Sequence, residues 1–392
     1  RIIVIFLKNE KQILSTIKYG PVLFVSLLSF IITLVFIEQQ NNIFINEATQ
    51  FKQDYVSENR NIIKNDVNKL LDFITKKKKK AEINLKKQIK NRVYEAHSIA
   101  TNLYINESTP DINGHYHSKE HILNTIKYAI GSIRFNNGRG YFFMDDIHGK
   151  KILHPIKKFE GKTLLEFKDA NGYQFVKTIV NTIKNKTETF DYYYWYKNND
   201  NSKSYKKVGF YKYFEPLNMA IGTGEYIDEF EKDLKKKILE EIKNIKFREG
   251  KYPFIFGTDG LVLSHVKKES IGTNILNSTN KKGKSPLKDI IDFSKKNKNG
   301  YFTYMLPTGF TELGTSEKTS YLTLFKDWNW VIGSGFHLDK LNKEISIKEN
   351  LLATFNQKAI TNILLISLLI TIPLIIISFY ISKLIANHFH TY

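Results

Sequence analysis

Two long apolar segments lie near the ends of the chain. Residues 21–37 and 362–382 contain no charged side chain, and each is about as long as a helix that crosses a hydrocarbon core of roughly 30 Å. Basic residues flank their outer sides, namely Arg1, Lys8, Lys11, Lys18 and Lys383, with His388 and His390 after the second segment. Because basic flanks tend to stay in the cytoplasm, we expect two transmembrane helices with both termini inside and the central region outside. A cleaved signal peptide is the alternative for the first segment.

The region after the first apolar segment has a helical pattern. Residues 38–105 contain neither glycine nor proline, and apolar residues recur at helical spacing at Ile62, Ile63, Val67, Leu70, Leu71 and Ile74. This pattern predicts a long helix that is broken at most once. A loop is expected over 107–117, which contains Pro110 and Gly114, and a second helix over 118–134 with Ser118 as its cap.

The remaining pattern is repeated. Shifting the chain on itself by 111 residues aligns glycine with glycine and histidine with histidine at many positions, without a gap. Each copy predicts a hairpin, a helix and three strands: 140–154, 170–185, 187–197, 204–214 and 218–226 in the first copy, and 252–265, 284–297, 300–306, 319–326 and 329–337 in the second. We therefore expect an α+β fold of two antiparallel sheets backed by helices, followed by one helix over 340–382.

Composition narrows the possible partners. The chain has 59 Lys and Arg against 39 Asp and Glu, a formal net charge of +20. A basic protein suggests nucleic-acid binding, but the lysines are spread over the whole chain and only 76–80 form a dense run, which is typical of a solvated helix face. Nucleic acid is therefore not an expected partner. The absence of cysteine excludes disulfides and cysteine-type zinc sites.

Three stretches carry a family resemblance: GYFFMDDIHGKKILHP at 140–155, YYWY at 193–196 and IGTGEYIDEF at 221–230. The chain resembles a double Cache sensor domain of the second type over roughly residues 39–345. The resemblance implies tandem PAS-like units in an extracytoplasmic ligand sensor of a bacterial receptor, with organic acids, amino acids or amines as ligands. The family's Trp-x-Trp stands only in the second copy, as Trp328-Asn329-Trp330, where the first copy has Leu217-Asn218-Met219.

Aromatic and basic residues of the first copy form the predicted ligand site. A pocket for a small molecule needs an aromatic lining and a few inward polar groups, which the first copy offers at Arg134, Arg139, Tyr141, Phe143, His154, Tyr193, Trp195, Lys207 and Tyr211. Arginine pairs with carboxylate through two parallel hydrogen bonds, so Arg134 is the expected anchor of a small carboxylate. Core packing is the alternative for Tyr141 and Phe143, a structural hydrogen bond for His154, and a surface position for Lys207. The second copy lacks an arginine at the matching place.

The sequence gives only weak signals for a metal site or for acid–base catalysis. His115, His117 and His121 could hold a metal ion, but a loop that enters a helix is the simpler interpretation. Asp145 and Asp146 beside His148 suggest turn chemistry rather than acid–base work. No catalytic residue, cofactor or metal is predicted for this part of the chain.

The predicted organisation runs from a cytoplasmic start to a cytoplasmic output. The expected parts are a cytoplasmic segment (1–19), a first transmembrane helix (20–38), the long helix and helical cap (39–134), a membrane-distal Cache unit (135–228), a membrane-proximal Cache unit (229–345), an exit and transmembrane helix (346–382) and the start of a truncated output region (383–392). We expect a homodimeric, two-pass receptor of the cell inner membrane whose output is a histidine kinase. A methyl-accepting chemoreceptor, a diguanylate cyclase sensor and a membrane-anchored extracytoplasmic enzyme are the alternatives.

Overall fold

A computed structural model describes residues 10–197, 200, 202–245, 252–277, 286–306 and 316–389. The helices are α1 (Glu10–Glu107), α2 (Lys119–Gly131), α3 (Phe175–Lys184), α4 (Ile227–Lys243), α5 (Pro286–Asn297) and α6 (Asp339–Phe389). The strands are β1 (Phe143–Asp146), β2 (Lys151–Leu153), β3 (Glu188–Tyr196), β4 (Ser204–Phe214), β5 (Met219–Tyr226), β6 (Pro253–Gly257), β7 (Val262–Ser264), β8 (Asn299–Leu306), β9 (Ser316–Phe325) and β10 (Trp330–His337). The basic residues Arg1 and Lys8 and the C-terminal His390, used above to orient the chain, lie outside the described residues.

The chain divides into two compact units. The first unit is Lys69–Lys246, and the second unit combines Arg1–Asn68 with Phe247–Tyr392. Each unit contains one copy of the repeat and one five-stranded antiparallel sheet. The strand order is β2-β1-β5-β4-β3 in the first unit and β7-β6-β10-β9-β8 in the second. The predicted α+β fold of two helix-backed antiparallel sheets is therefore confirmed.

The sheet of the first unit is covered on both faces. Successive residues of a strand point to opposite faces. Tyr141 and Phe143 accordingly pack with helix α3, whereas Phe142 and Met144 pack with the last turns of α1 and with α2. The predicted cap of α2 is also present, because Ser118 Oγ accepts a hydrogen bond from the His121 amide at 3.1 Å.

The second unit repeats this plan on its own helix α5. Ile290 and Ile291 of α5 pack against Phe254 and Leu322 of the sheet. The strand registers of the two units correspond at the offset of 111 residues: Phe143 lies opposite Gly222 and Phe254 opposite Gly333. The duplication seen in the sequence therefore extends to the pairing of the strands, which have the same register in both units.

Two glycines of the repeat, Gly224 in β5 and Gly335 in β10, lie where a larger side chain would not fit. A Cβ atom at Gly224 would lie 2.9 Å from Lys207 Cε, and one at Gly335 would lie 2.7 Å from Lys318 Cε. The same glycines also lie close to the neighbouring strand, with the Val208 carbonyl oxygen 2.3 Å from the first of these positions. Glycine is required here because a lysine side chain of the neighbouring strand crosses its surface.

Helices α1 and α6 contain the apolar segments. The predicted long helix is present and unbroken, since α1 runs from Glu10 to Glu107. Among the described helices, α1 and α6 are long and apolar enough to cross a membrane. Side chains of these segments are exposed, as Leu23 and Leu369 show at 69% and 71%. Exposed apolar side chains in such number are typical of a surface that contacts lipid or another protein.

Candidate ligand-binding site

A cavity of about 370 Å³ lies in the second unit, beside strands β6, β8 and β9. This volume is in the range of small-molecule sites. Its wall combines aromatic and aliphatic side chains with a few polar ones: Tyr252, Phe254, Phe256, Val262, His265, Glu269, Ser270, Thr273, Asn274, Ile275, Tyr304, Leu306 and Lys318.

Lys318 is the principal charged group of this wall. Its side chain is buried, and Nζ donates a hydrogen bond to the hydroxyl of Tyr252 at 3.2 Å while lying 4.4 Å from the centre of that ring. Burial lowers the pKa of Lys318 to about 7. Among the residues that the structure describes, no carboxylate forms an ion pair with it. The cavity therefore presents a lysine that is partly protonated at neutral pH and that has no ion-pair partner among the described residues.

His265 supplies a second polar group. Its Nδ1 accepts a hydrogen bond from the Lys267 amide at 3.1 Å. The proton of the neutral ring is therefore on Nε2, which makes that atom a donor. Burial, and next the charge of Lys318, lower the pKa of His265 to about 4, so the ring is neutral at physiological pH. Glu269 adds a carboxylate on an exposed part of the wall.

The first unit has the same buried lysine. Lys207 Nζ donates to the Tyr141 hydroxyl at 2.8 Å and lies 4.0 Å from the centre of that ring. Burial lowers the pKa of Lys207 to about 7, while Glu225 opposes the shift. The lysine and tyrosine correspond in the two copies, residue for residue at the 111-residue offset.

Two aromatic side chains of the first copy pack around His154. Trp195 Nε1 donates to His154 Nε2 at 3.1 Å, and the Phe159 ring lies 4.8 Å from the Trp195 ring. At the matching positions the second copy has Leu306 and Ser270, which both line the cavity. The cavity of the second copy is therefore lined by two smaller side chains where the first copy has two aromatic rings.

A buried ion pair occupies a further position of the first copy. Lys151 Nζ lies 2.7 Å from Asp145 Oδ1, and both side chains are almost fully buried. The ammonium lies 5.0 Å from the Phe143 ring and 5.8 Å from the Trp195 ring. Burial raises the pKa of Asp145 against the opposing effect of Lys151. The second copy has Val262 and Phe256 at these positions, so it replaces the ion pair by an apolar wall.

The residues predicted for a first-copy site divide into two groups. The structure brings seven of them together in one buried cluster: Tyr141, Phe143, His154, Tyr193, Trp195, Lys207 and Tyr211. Arg134 is exposed, and its Nη1 donates to the carbonyl groups of Gly131 and Ile133 at 2.8 Å each. The guanidinium expected to hold a carboxylate thus closes the end of helix α2.

Arg139 is also engaged within the protein. Its guanidinium lies 2.9 Å from Asp233, 3.6 Å from Glu225 and 3.9 Å from Glu229. Three acidic partners leave little positive charge for an incoming anion. Arg134 and Arg139 favoured the first copy in the sequence, whereas Ser270 and Leu306 at the repeat offset are smaller than their first-copy counterparts. Which copy binds a ligand stays a prediction.

A family model and several solved structures match this chain. The family model for the Cache domain matches residues 40–342. A solved Cache chemosensory domain, studied for carboxylic acid recognition, is 24% identical over 36% of this chain and 92% of its own length, with a TM-score of 0.33. A methyl-accepting chemotaxis protein from Vibrio parahaemolyticus is 27% identical over 40% of this chain and 98% of its own length, also with a TM-score of 0.33. The sensory domain of the Campylobacter jejuni chemoreceptor Tlp3, solved with isoleucine, is 14% identical over 75% and 97% of the two chains, with a TM-score of 0.29.

The two tandem α+β units, each with a five-stranded antiparallel sheet and its helices, have the fold of a tandem Cache sensor domain. The family match covers most of the chain, and the chain belongs to the Cache domain family.

Proposed function

We propose that this chain is the sensing part of a transmembrane signalling receptor and that the cavity of its second unit binds a small carboxylate. The observation that carries the proposal is Lys318, a buried ammonium on the cavity wall with no carboxylate paired to it among the described residues. A buried charge needs a partner, and a ligand carboxylate is the group that supplies one. The Tyr252 hydroxyl and His265 Nε2 would complete the set of donors.

Carboxylate binding at this site would be coupled to proton uptake. Lys318 has a pKa near 7 in the unliganded protein, so a fraction of the molecules carries it uncharged at neutral pH. A bound anion favours the charged form. The lysine would therefore become fully protonated in the complex, which adds a favourable interaction that exists only with ligand.

Glu269 distinguishes two ligand classes. Its carboxylate lies on the cavity wall and is exposed. An ammonium group on the ligand would find a partner there, whereas a simple carboxylate would not. An α-amino acid, with its carboxylate at Lys318 and its ammonium at Glu269, is thus the second candidate ligand.

The first copy remains a candidate site with a different requirement. Lys207 and Tyr141 match Lys318 and Tyr252, but the bulky Trp195 stands where the second copy has Leu306. We prefer the second copy because it contains an open cavity, and a preformed site binds without the cost of rearrangement.

The path of the signal follows the chain. Strand β10 carries Gly335 and runs through His337 into helix α6, which begins at Asp339 and contains the apolar segment 362–382. We propose that α1 and α6 cross the inner membrane, that the Cache units lie outside, and that the receptor is a homodimer. A ligand that contacts two states differently would shift α6 and reach a cytoplasmic output. A histidine kinase is the proposed output, with a chemoreceptor or a diguanylate cyclase as alternatives.

The binding site can be tested on the full chain in detergent micelles. Propionate, L-alanine and propylamine are titrated by calorimetry into the wild type, Lys318→Met and the matched variant Lys207→Met. We expect propionate or L-alanine to bind the wild type and Lys207→Met, and Lys318→Met to bind about 10- to 100-fold more weakly, as for a lost charged hydrogen bond. Loss of binding in Lys207→Met alone would place the site in the first copy. Binding of propylamine alone would contradict a carboxylate ligand.

Glu269→Gln separates the two ligand classes in the same assay. Weaker binding of L-alanine with unchanged binding of propionate would identify an amino-acid site. If neither affinity changes, the ligand carries no ammonium group at this wall.

A further inference from the structure

Three metal-type donors meet where helices α1 and α2 are joined. Glu107 is the last residue of α1, His117 precedes the cap of α2, and His121 lies in the first turn of α2. Their donor atoms converge: Glu107 Oε2 lies 3.5 Å from His117 Nε2 and 3.3 Å from His121 Nε2. One ligand atom from each of the three residues lies within 4.8 Å of the other two.

The distances fit a tetrahedral metal ion. Zinc bonds to histidine nitrogen and carboxylate oxygen are about 2.0–2.2 Å long, which in a tetrahedron places neighbouring donors about 3.3–3.6 Å apart. Both measured separations from Glu107 Oε2 fall in this range. The donors are therefore at ligand–ligand distance without any rearrangement of the backbone.

The two histidine rings need a side-chain adjustment to bind one ion. The rings of His117 and His121 are stacked at 4.3 Å between centres, with 16° between their planes. A metal ion lies in the plane of each imidazole ring that binds it, so two nearly parallel rings cannot both bind one ion in this orientation. Both side chains are partly exposed, and rotation of one ring about its side-chain torsions would direct both Nε2 atoms at an ion beside Glu107.

We propose that Glu107, His117 and His121 form a site for a divalent transition-metal ion of the zinc class, with the fourth position open to water. Two imidazoles and one carboxylate are a common zinc ligand set. The side chains of Glu107, His117 and His121 are 26%, 39% and 52% exposed, so an ion can enter from solvent. The ion would join the end of α1 to the start of α2 across the loop 108–116.

Helix dipoles at this place act in opposite directions. The C-terminal end of α1 attracts a cation, whereas the N-terminal end of α2, capped by Ser118, repels one. Affinity would therefore come from the three ligands themselves. This makes substitution of the ligands a decisive test.

The test uses the full chain in detergent, without a polyhistidine tag and stripped of metal with a chelator. Zn²⁺ is titrated by calorimetry into the wild type, the double variant His117→Ala/His121→Ala and the control His115→Ala. His115 is an exposed histidine of the same loop that faces Asp111 at 3.6 Å and is not one of the three ligands. We expect one saturable equivalent of Zn²⁺ in the wild type and in the control, and loss of that equivalent in the double variant. An unchanged equivalent in the double variant would overturn the proposal, as would its absence from the wild type.

Cobalt gives a second readout that does not depend on the double variant. Co²⁺ bound to the wild type should show the intense visible absorption of a tetrahedral site. Glu107→Gln should reduce the Co²⁺ affinity by at least about tenfold, because changes even behind the ligands reduce metal affinity by 10- to 100-fold. A spectrum and affinity unaffected by Glu107→Gln would show that the carboxylate is not a ligand and would refute the site as proposed.

Discussion

The two copies of the Cache repeat share a register and a buried lysine, yet they differ in side-chain size at two matching positions. In the first copy these are Trp195 and Phe159, and Trp195 is hydrogen-bonded to His154. In the second copy they are Leu306 and Ser270, which line a cavity of about 370 Å³. The comparison teaches that one backbone register carries very different side-chain volumes, and this difference is the basis for proposing the second copy as the ligand site.

The treatment of buried charge differs in the same way. The first copy contains its own ammonium–carboxylate pair, Lys151 with Asp145 at 2.7 Å. The second copy has apolar residues at both places and keeps Lys318 without such a pair among the described residues. The first copy thus pairs one of its two buried lysines with a carboxylate, whereas the described part of the second copy shows no such pair for Lys318.

Filling the second cavity tests whether its open volume is required for ligand binding. Leu306→Trp places at position 306 the residue that the first copy has at Trp195. We expect it to abolish binding of propionate or L-alanine, whichever binds the wild type, because the indole takes the ligand's volume. Calorimetry on the full chain measures this loss. The fold should tolerate the change, since the first copy accommodates the same residue at the same register.

A volume-conserving variant serves as the control. Leu306→Met keeps the size of the side chain and should keep the affinity, since such exchanges perturb packing little. Undiminished binding in Leu306→Trp would show that the ligand lies elsewhere. The reciprocal variant Trp195→Leu should leave the affinity of the second unit unchanged.

The buried ion pair gives the largest expected effect on stability. Lys151→Met leaves Asp145 uncompensated in the interior, and breaking a buried pair in this way destabilises by about 3–5 kcal/mol. The effect should be confined to the first unit. In a Trp328→Phe/Trp330→Phe background Trp195 is the remaining tryptophan, and its fluorescence during urea unfolding reports on the first unit, because Lys151 Nζ lies 5.8 Å from the Trp195 ring.

Two further variants decide whether charge is the cause. Lys150→Met removes the neighbouring exposed lysine and should have little effect. Asp145→Leu/Lys151→Met removes both charges and should regain much of the lost stability, since an apolar pair often replaces an ionic one without loss. A double variant as unstable as Lys151→Met would mean that packing of the lysine stem, and not its charge, is what stabilises the first unit.

The sequence predicted the fold closely, whereas the position of the ligand site stays a prediction. Alternation of residues such as Tyr141 to Met144 and the glycines at the 111-residue offset determine strands and register, because they reflect local geometry. The placement of Arg134 depends instead on where a long side chain finds acceptors in three dimensions, and here these are carbonyls of its own helix end. The cavity depends on the sum of several side-chain volumes, of which Leu306 alone gives no sign.

The buried Lys318 makes the stability of the second unit depend on pH. Lys318 has a pKa of about 7 in the folded chain and about 10.4 when unfolded. The unfolded state therefore binds more protons between these values, and stability rises with pH in that window. The loss of folding stability caused by burying the charged lysine is complete below pH 7 and vanishes above the pKa of the lysine in the unfolded chain. From pH 7 to pH 9 we expect the wild type to gain about 2 kcal/mol relative to Lys318→Met.

Tryptophan fluorescence can assign this gain to one unit. In a Trp195→Phe background the signal comes from Trp328 and Trp330 of the second unit, so urea unfolding at each pH reports on Lys318 alone. The exposed-lysine variant Lys288→Met should follow the wild type at every pH. Bound ligand should flatten the wild-type profile, because a carboxylate beside Lys318 restores its charge and removes the difference between folded and unfolded pKa. A wild-type profile that is parallel to that of Lys318→Met without ligand would show that the lysine is charged and already has a partner, and the case for an anion site would then fail.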